Sequence, residues 1–207
     1  MARPTNNGSP GTTAAQVFIT HGYKYFRRLG EINRRGPTLL PEPLRLGGLT
    51  VEQVQRLVAD GATLIDVRPI AEYAAAHLPG ALSIPLREAF ATWLGWLAPL
   101  DCPVVVVRNP DQDPVEILAQ AAKVGYDDLA GELTGGLSAW AAQDLPTTST
   151  ELRTPAAMSD DQVLDIRQAS EFTGGHVPGA GHIELGDLSA AAPSLRGGPV
   201  TVDVRPR

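Results

Sequence analysis

The sequence predicts an α/β fold in which a parallel β-sheet carries helices on both faces. Short apolar segments typical of strands alternate with helical segments between residues 50 and 143. Four consecutive valines, Val104 to Val107, are typical of a strand buried on both faces of a parallel sheet. In addition, an internal repeat indicates that the same unit begins a second time, as a truncated copy.

The predicted elements begin after a Pro-rich stretch at residues 41–43. Thr50 and Gln53 have capping-box spacing, which predicts a helix from residue 51 that ends at Gly61. Strands are predicted at residues 63–67, 81–84, 104–107 and 129–133. Helices are predicted at residues 70–76, 89–97, 115–124 and 137–143. Trp93 and Trp96 are expected to pack their helix on the sheet, with a partner-facing patch as the alternative.

The repeat appears when the sequence is shifted by 99 residues, which aligns residues 64–81 with residues 163–180 without gaps. Of these 18 positions, seven are identical and five are conservative. We therefore divide the chain into residues 1–43 (a flexible start, a helical segment over 14–35 and a linker), residues 44–148 (a complete module) and residues 149–207 (a partial second copy).

The repeated polar residues have structural roles that their positions suggest. An acid and a base end a strand, a glutamate follows on the next helix, and a histidine precedes a Pro-Gly turn. These residues are Asp66, Arg68, Glu72 and His77 in the first copy and Asp165, Arg167, Glu171 and His176 in the second. The acid–base pair can hold the turn through charge-assisted hydrogen bonds. Since neither histidine has a second ligand at metal spacing, no metal site and no cofactor are expected.

Charge is unevenly distributed along the chain. The net charge is -6, but residues 1–46 hold seven basic and two acidic residues, so the remainder carries -11. An acidic body argues against nucleic acid as the main partner. The basic arm is interpreted as a solvated helix face and linker, with contact to RNA or an acidic surface as the alternative.

Features of the sequence also bear on location. The longest apolar stretch, residues 90–100, is about half a membrane span. Residues 1–11 have no apolar core of signal-peptide length. The single cysteine excludes an internal disulfide. We therefore expect a cytoplasmic protein that does not bind membranes.

The motifs Leu-Ile-Asp-Val-Arg (64–68), Glu-Tyr (72–73), His-Leu-Pro-Gly-Ala (77–81) and Gly-Gly-Leu-Ser-Ala-Trp (135–140) closely resemble those of the rhodanese domain. The resemblance covers residues 44–148 completely and residues 149–207 as far as the fourth strand. It implies a rhodanese-like fold and a sulfurtransferase mechanism. In that mechanism a cysteine after the buried strand becomes a persulfide, inside a loop whose backbone N–H groups and following helix favour anions.

The resemblance places Arg108 at the nucleophile position, by counting back from Gly125, which matches the family's helix end. The corresponding loop is Arg108, Asn109, Pro110, Asp111, Gln112 and Asp113. A guanidinium cannot act as the sulfur nucleophile.

The rest of this loop also departs from an anion cradle. Pro110 removes one N–H donor, and Asp111 and Asp113 add negative charge. Asp113 is predicted to be the N-cap of the following helix, with Glu116 completing a capping-box-like pattern.

Cys102 does not replace the missing nucleophile in this reading. It lies before the strand, six extended residues or roughly 20 Å from Arg108, and is interpreted as a packing or incidental residue. In the second copy Val204 occupies the nucleophile position, and the chain ends at Arg207, about 40 residues short of a full module by comparison with the first copy.

Three functional hypotheses follow. The first is a non-catalytic rhodanese-like scaffold or binding module, with a new activity based on Arg108 as the alternative role of this domain. The second is a sulfurtransferase-related enzyme whose active cysteine lies in a complete second domain or a partner. The third is a truncated gene product without independent function. Whether this chain is an enzyme is therefore left open.

The N-terminal segment adds an expectation about partners. Residues 14–40 are similar to the segment that joins a metallo-β-lactamase-fold domain to tandem rhodanese modules in bacterial fusion proteins. This similarity implies a metallo-β-lactamase-fold hydrolase as partner, or a hydrolase of which this chain is a fragment. A sulfur-carrier protein is the other partner expected. The zinc ligands would precede this chain, because His21 alone cannot form a site.

Overall fold

The computed structural model describes Arg34 and residues 45–154, 162–185, 187–195 and 200–203. The described residues fall into two compact units, one with residues 45–154 and the other with residues 162–203. Apart from Arg34, the predicted N-terminus, helical segment and linker lie outside the described residues. None of the described helices is long and apolar enough to cross a lipid bilayer.

The first unit contains a five-stranded parallel sheet. Its strands are β1 (Gly48–Leu49), β2 (Thr63–Asp66), β3 (Leu82–Ser83), β4 (Val104–Val107) and β5 (Gly131–Leu133). Their order is β1-β5-β4-β2-β3, and every pair is parallel. The predicted parallel α/β fold is therefore confirmed.

Five helices connect the strands of this sheet. They are α1 (Val51–Ala59), α2 (Ile70–Ala75), α3 (Phe90–Leu97), α4 (Pro114–Ala122) and α5 (Gly136–Ala141). The predicted capping box starts α1, since Gln53 N donates to Thr50 Oγ1 and Thr50 N donates to Gln53 Oε1. Gly61, at φ 98°, closes the helix because its N–H and that of Ala62 donate to carbonyls of the last turn.

Both faces of the sheet are buried, as the four valines predicted. Val104 and Val106 face a cluster that includes Phe90 and Ile117, from α3 and α4. Val105 and Val107 face the opposite cluster, which includes Val51, Val54 and Trp140 from α1 and α5. The side chains of these core residues are at most 7% exposed. Trp93 and Trp96, whose rings meet edge to face, are partly buried against the first of these clusters.

The second unit contains a three-stranded parallel sheet. Its strands are β6 (Gln162–Asp165), β7 (Gly181–His182) and β8 (Val200–Asp203), in the order β7-β6-β8. Helices α6 (Ala169–Thr173) and α7 (Leu188–Ala191) and a 3₁₀ turn (Ala192–Ser194) lie between these strands. This order matches β3-β2-β4 of the first sheet, so the described part of the unit has the topology expected of a truncated copy.

The structure corrects several predicted boundaries. The strand predicted over 81–84 shortens to β3, because the Ala81 N–H closes a turn on the Leu78 carbonyl. The strand predicted over 129–133 begins only at Gly131. β1 was not predicted: it is two residues long and is defined by its pairing with β5, for example the hydrogen bond from Thr134 N to Leu49 O.

Candidate functional site

An ion pair sits at the carboxyl end of β2, beside the end of β4. Asp66 is fully buried and Arg68 is 4% exposed. The Arg68 guanidinium donates to both Asp66 carboxylate oxygens, with Nη2 2.6 Å from Oδ2, and Nη2 also donates to the Ala76 carbonyl at 2.8 Å. The Arg68 N–H donates to Asp66 Oδ1 at 3.0 Å. These hydrogen bonds connect the end of β2 to the end of α2, so the ion pair holds together the two segments that lie beside the end of β4.

The second unit contains the same pair, shifted by 99 residues. Arg167 donates from Nε and Nη2 to the two Asp165 carboxylate oxygens, and its N–H donates to Asp165 Oδ1 at 3.0 Å. Its Nη2 also donates to the Gly175 carbonyl at 2.9 Å, the counterpart of the Ala76 bond. The hydrogen bonds from Arg167 lower the pKa of the buried Asp165 carboxyl, against the opposing effect of burial.

The two repeated histidines have matching surroundings. His77 Nδ1 lies 2.8 Å from the Tyr73 carbonyl, and the two rings stack with centroids 3.8 Å apart. His176 Nδ1 lies 3.0 Å from the Phe172 carbonyl, and this ring pair also stacks at 3.8 Å. No group of three or more potential ligands that could hold a metal occurs among the residues the structure describes.

The helix residues before these histidines differ in exposure and partners. Tyr73 Oη donates to the Ala81 carbonyl at 2.7 Å, and burial, with a smaller effect from Asp66, raises the pKa of its phenol. Glu72 is exposed and accepts from Asn109 Nδ2 at 2.8 Å, which connects α2 to the loop after β4. Glu171, its counterpart, is half-buried on α6.

The predicted nucleophile position holds an arginine that the loop surrounds. Arg108 Nε and Nη2 donate to the two carboxylate oxygens of Glu132 on β5, with Nη2 2.9 Å from Oε1. Arg108 Nη1 donates to the carbonyls of Asn109 at 3.0 Å, Pro110 at 3.5 Å and Gln112 at 2.9 Å. The Arg108 and Glu132 side chains are each 18% exposed. The centre of the loop is therefore a partly buried cation.

Side chains of the loop hold its backbone in this conformation. Asn109 N donates to Gln112 Oε1 at 2.9 Å, and Gln112 Nε2 donates to the Val67 carbonyl at 2.7 Å. Gly136, at φ 57°, packs close beneath, because a Cβ atom there would lie 2.9 Å from the Arg108 carbonyl oxygen. The loop is thus fixed to the ends of β2 and β5 as well as to its own arginine.

The start of α4 is capped by the protein itself. Asp113 Oδ1 accepts from Val115 N at 2.8 Å, so the predicted N-cap is present and Pro114 lies at the first helical position. Glu116 differs from the predicted capping-box partner: its carboxylate accepts from Gln120 Nε2 at 3.0 Å. A carboxylate nevertheless occupies the helix N-terminus, where the helix dipole favours negative charge.

Glu132 is the site residue that the sequence reading missed. The β4–β5 register places it opposite Val106, two residues before Arg108 and on the same side of the pleat. An acid within the otherwise apolar stretch at 129–133, in a strand next to one that ends in arginine, was the available signal.

Two further positions, Cys102 and Val204, were considered from the sequence. Cys102 is half-buried as a free thiol and precedes β4, whereas Arg108 follows it, so the whole strand separates the two. Val204 lies outside the described residues. Its position follows from register: Asp165 pairs with Asp203 as Asp66 pairs with Val107, so residue 204 corresponds to residue 108.

Chemically, the arrangement around Arg108 surrounds a guanidinium cation with hydrogen-bond acceptors. Three carbonyl oxygens and the Glu132 carboxylate accept from its guanidinium.

Comparison with known proteins identifies the first unit. Residues 50–143 match the family model described as the rhodanese-like domain. This match lies within the predicted module, residues 44–148. Residues 50–143 therefore form a rhodanese-like domain.

One curated relative shares a short segment with this chain. It is the HTH-type transcriptional regulator Rv0324 of Mycobacterium tuberculosis, which is 51% identical over 37 residues, or 18% of this chain. The match spans 16% of the length of that regulator.

Solved structures also resemble the chain. The Alr3790 protein from Anabaena sp. is 22% identical, with a TM-score of 0.44, over 50% of this chain and 94% of that one. A thiosulfate sulfurtransferase from Pseudomonas aeruginosa is 19% identical, with a TM-score of 0.38, over 90% of this chain and 42% of that one. The 3-mercaptopyruvate sulfotransferase SseA from Escherichia coli is 18% identical, with a TM-score of 0.40, over 70% and 77%.

Proposed function

We propose that the rhodanese-like domain of this chain is non-catalytic and serves as a structural or binding module linked to sulfur or persulfide metabolism. The observation that carries the proposal is the Arg108 guanidinium at the nucleophile position, bonded to Glu132 and to three carbonyls of its own loop. Sulfur transfer by the family mechanism needs a thiolate in the place that this guanidinium fills.

Electrostatics supports the same proposal. A persulfide or thiosulfate anion is stabilised by N–H donors and by the positive end of a helix. Here Asn109 N is already bonded to Gln112, and Asp113 caps the helix that would supply the field. The loop therefore stabilises positive charge at the point where the reaction develops negative charge.

We also propose that residues 149–207 hold a partial second module. The ion pair, the histidine stack and the turn glycine all recur at an offset of 99, with φ 80° at Gly80 and 82° at Gly179. A chance sequence repeat would not reproduce the same donors and acceptors.

An alternative is a thiosulfate or persulfide sulfurtransferase, or a metallo-β-lactamase-type hydrolase, of which this chain is a fragment. The second unit favours it, because β8 leads directly to the position that corresponds to Arg108. A longer polypeptide would place its own active loop there. In either case we propose a metallo-β-lactamase-fold hydrolase as partner, on the similarity of residues 14–40, or else a sulfur-carrier protein.

A thiosulfate:cyanide sulfurtransferase assay on the full chain tests the proposal. We expect no turnover above buffer and no mass increase of one sulfur atom after incubation with thiosulfate. A Cys102→Ser variant is the matched control, because it removes the single thiol and leaves the Arg108 loop intact. Turnover in the native chain, whether Cys102→Ser abolishes it or not, would refute the non-catalytic assignment.

A further inference from the structure

The loop after β4 presents a complete acceptor set to one planar cation. A guanidinium carries five N–H donors in a rigid fork. All three nitrogens of Arg108 donate here: Nε and Nη2 to the Glu132 carboxylate, and Nη1 to carbonyls of the loop. The paired donation from Nε and Nη2 to the two carboxylate oxygens is the bidentate geometry that an ammonium group cannot reproduce.

We propose that this cradle is a guanidinium-binding site, which Arg108 fills from within the chain, and that it selects planar cations over oxyanions. The inference rests on the proposed loss of catalysis and deepens it, since it names the ligand class that the altered loop accepts. The Glu132 carboxylate and the carbonyl oxygens make the site favourable for a cation, and the Arg108 side chain is the cation that occupies it.

Contacts that do not involve the guanidinium preform the cradle. Gln112 bonds the Asn109 N–H and the Val67 carbonyl, and its own N–H donates to the Asn109 carbonyl at 3.2 Å. Asp113 caps α4 independently. Removal of the Arg108 side chain should therefore leave Glu132 and the carbonyls in place around an unfilled site.

Rescue of an Arg108→Ala variant by free guanidinium is the test. Thermal unfolding of the full chain is measured in guanidinium chloride at about 50 mM and in sodium chloride of equal ionic strength. Loss of the charged hydrogen bonds should lower the Tm of Arg108→Ala by roughly 8–16 °C in sodium chloride. Guanidinium should restore about 4 °C or more in this variant by filling the site, and should leave the native Tm unchanged or slightly lower.

Two further variants separate the site from a general salt effect. Arg108→Ala/Glu132→Gln keeps the space but removes the carboxylate, and should lose the rescue. Arg108→Lys keeps the charge and is expected to fold, yet should lower the Tm by about 4–8 °C because an ammonium cannot make the fork.

Equal Tm values for Arg108→Lys and the native chain would overturn the proposal, and so would a rescue by guanidinium that survives Glu132→Gln. If Arg108→Ala gains no stability from guanidinium, or does not fold in either salt, the preformed cradle is refuted. None of these results depends on sulfur transfer. If the Tm measurements contradict the guanidinium site and the thiosulfate assay shows no turnover, the guanidinium site is refuted and the non-catalytic assignment is retained.

Discussion

Replacing Arg108 with cysteine supplies the family's nucleophile and should still not restore a reactive thiolate. We consider Arg108→Cys in a Cys102→Ser background, so that the chain has one thiol. The substitution removes the cation but leaves the Glu132 carboxylate, 18% exposed, and the carbonyls of Asn109 and Gln112 around the sulfur. All of these groups disfavour a negative charge on the sulfur.

The effect on the thiol pKa can be estimated from Coulomb's law. A carboxylate about 6 Å from the sulfur, at an effective dielectric constant of about 20, opposes the thiolate by roughly 3 kcal/mol. That energy corresponds to about a hundredfold change in the ionisation equilibrium, so the pKa of the introduced thiol should rise above its ordinary value. At pH 7.5 the thiolate fraction should therefore fall about a hundredfold.

The rate of iodoacetamide alkylation as a function of pH measures this shift. Arg56→Cys in the same background is a matched control, because Arg56 is exposed on α1 and a thiol there should react normally. Arg108→Cys/Glu132→Gln should regain most of the lost reactivity. If Arg108→Cys alone titrates at or below the control and forms a persulfide from thiosulfate, the reasoning about cradle polarity is wrong.

Three other perturbations test the two repeated ion pairs and the close packing of Gly136. Arg68→Ala leaves the fully buried Asp66 carboxylate without its partner, so urea denaturation should show that the free energy of unfolding falls by about 3–5 kcal/mol. A fall of less than about 1 kcal/mol would contradict the role of this pair. Gly136→Ala adds a Cβ at φ 57° against a carbonyl oxygen and should cost about 1–3 kcal/mol by the same measurement. The pKa of Asp165 is lowered in the fold, so the pair's stabilisation is present above the ordinary value of 3.8 and is lost as pH falls through the folded pKa. In an acid titration followed by circular dichroism, Arg167→Ala should therefore begin to unfold at a higher pH than the native chain. Identical acid unfolding curves for the two proteins would contradict the role of this pair.

Local patterns were sufficient for much of the fold. Four valines in a row predicted a strand buried on both faces, and Val104 to Val107 are each at most 2% exposed. Thr50 with Gln53 predicted the cap of α1, because a capping box depends on residues three apart. Such features lie within one turn or one strand, so the sequence alone specifies them.

The site could be predicted only in part, for a physical reason. The family resemblance predicted that Arg108 occupies the nucleophile position, but its partner Glu132 is 24 residues away and reaches it through the β4–β5 register. Register depends on pairing between distant segments and on the turn chemistry between them. Similarly, Gln112 donates to the carbonyl of Val67, which is 45 residues away in the sequence, and no local pattern predicts this contact.

The outer edge of β8 provides a last prediction about the second unit. In the first sheet Val106 is 1% exposed. The carbonyl of Val104 accepts from Ala130 N on the β5 side of β4. Because residues two apart in a strand point to the same side, the backbone N–H of Val106 also points towards β5. Register makes Val202 the counterpart of Val106, but Val202 is 43% exposed and β8 is the last strand of the sheet within the described residues.

Because N–H groups alternate sides along a parallel strand, the Val202 amide should point away from β6 and the Thr201 amide towards it. Native-state hydrogen exchange should therefore find the Val106 amide at least roughly a thousandfold more protected than that of Val202, with Thr201 between them. Equal protection of Val106 and Val202 would mean that another strand covers β8. β8 would then not be an edge strand, and the partial module proposed here would be wrong.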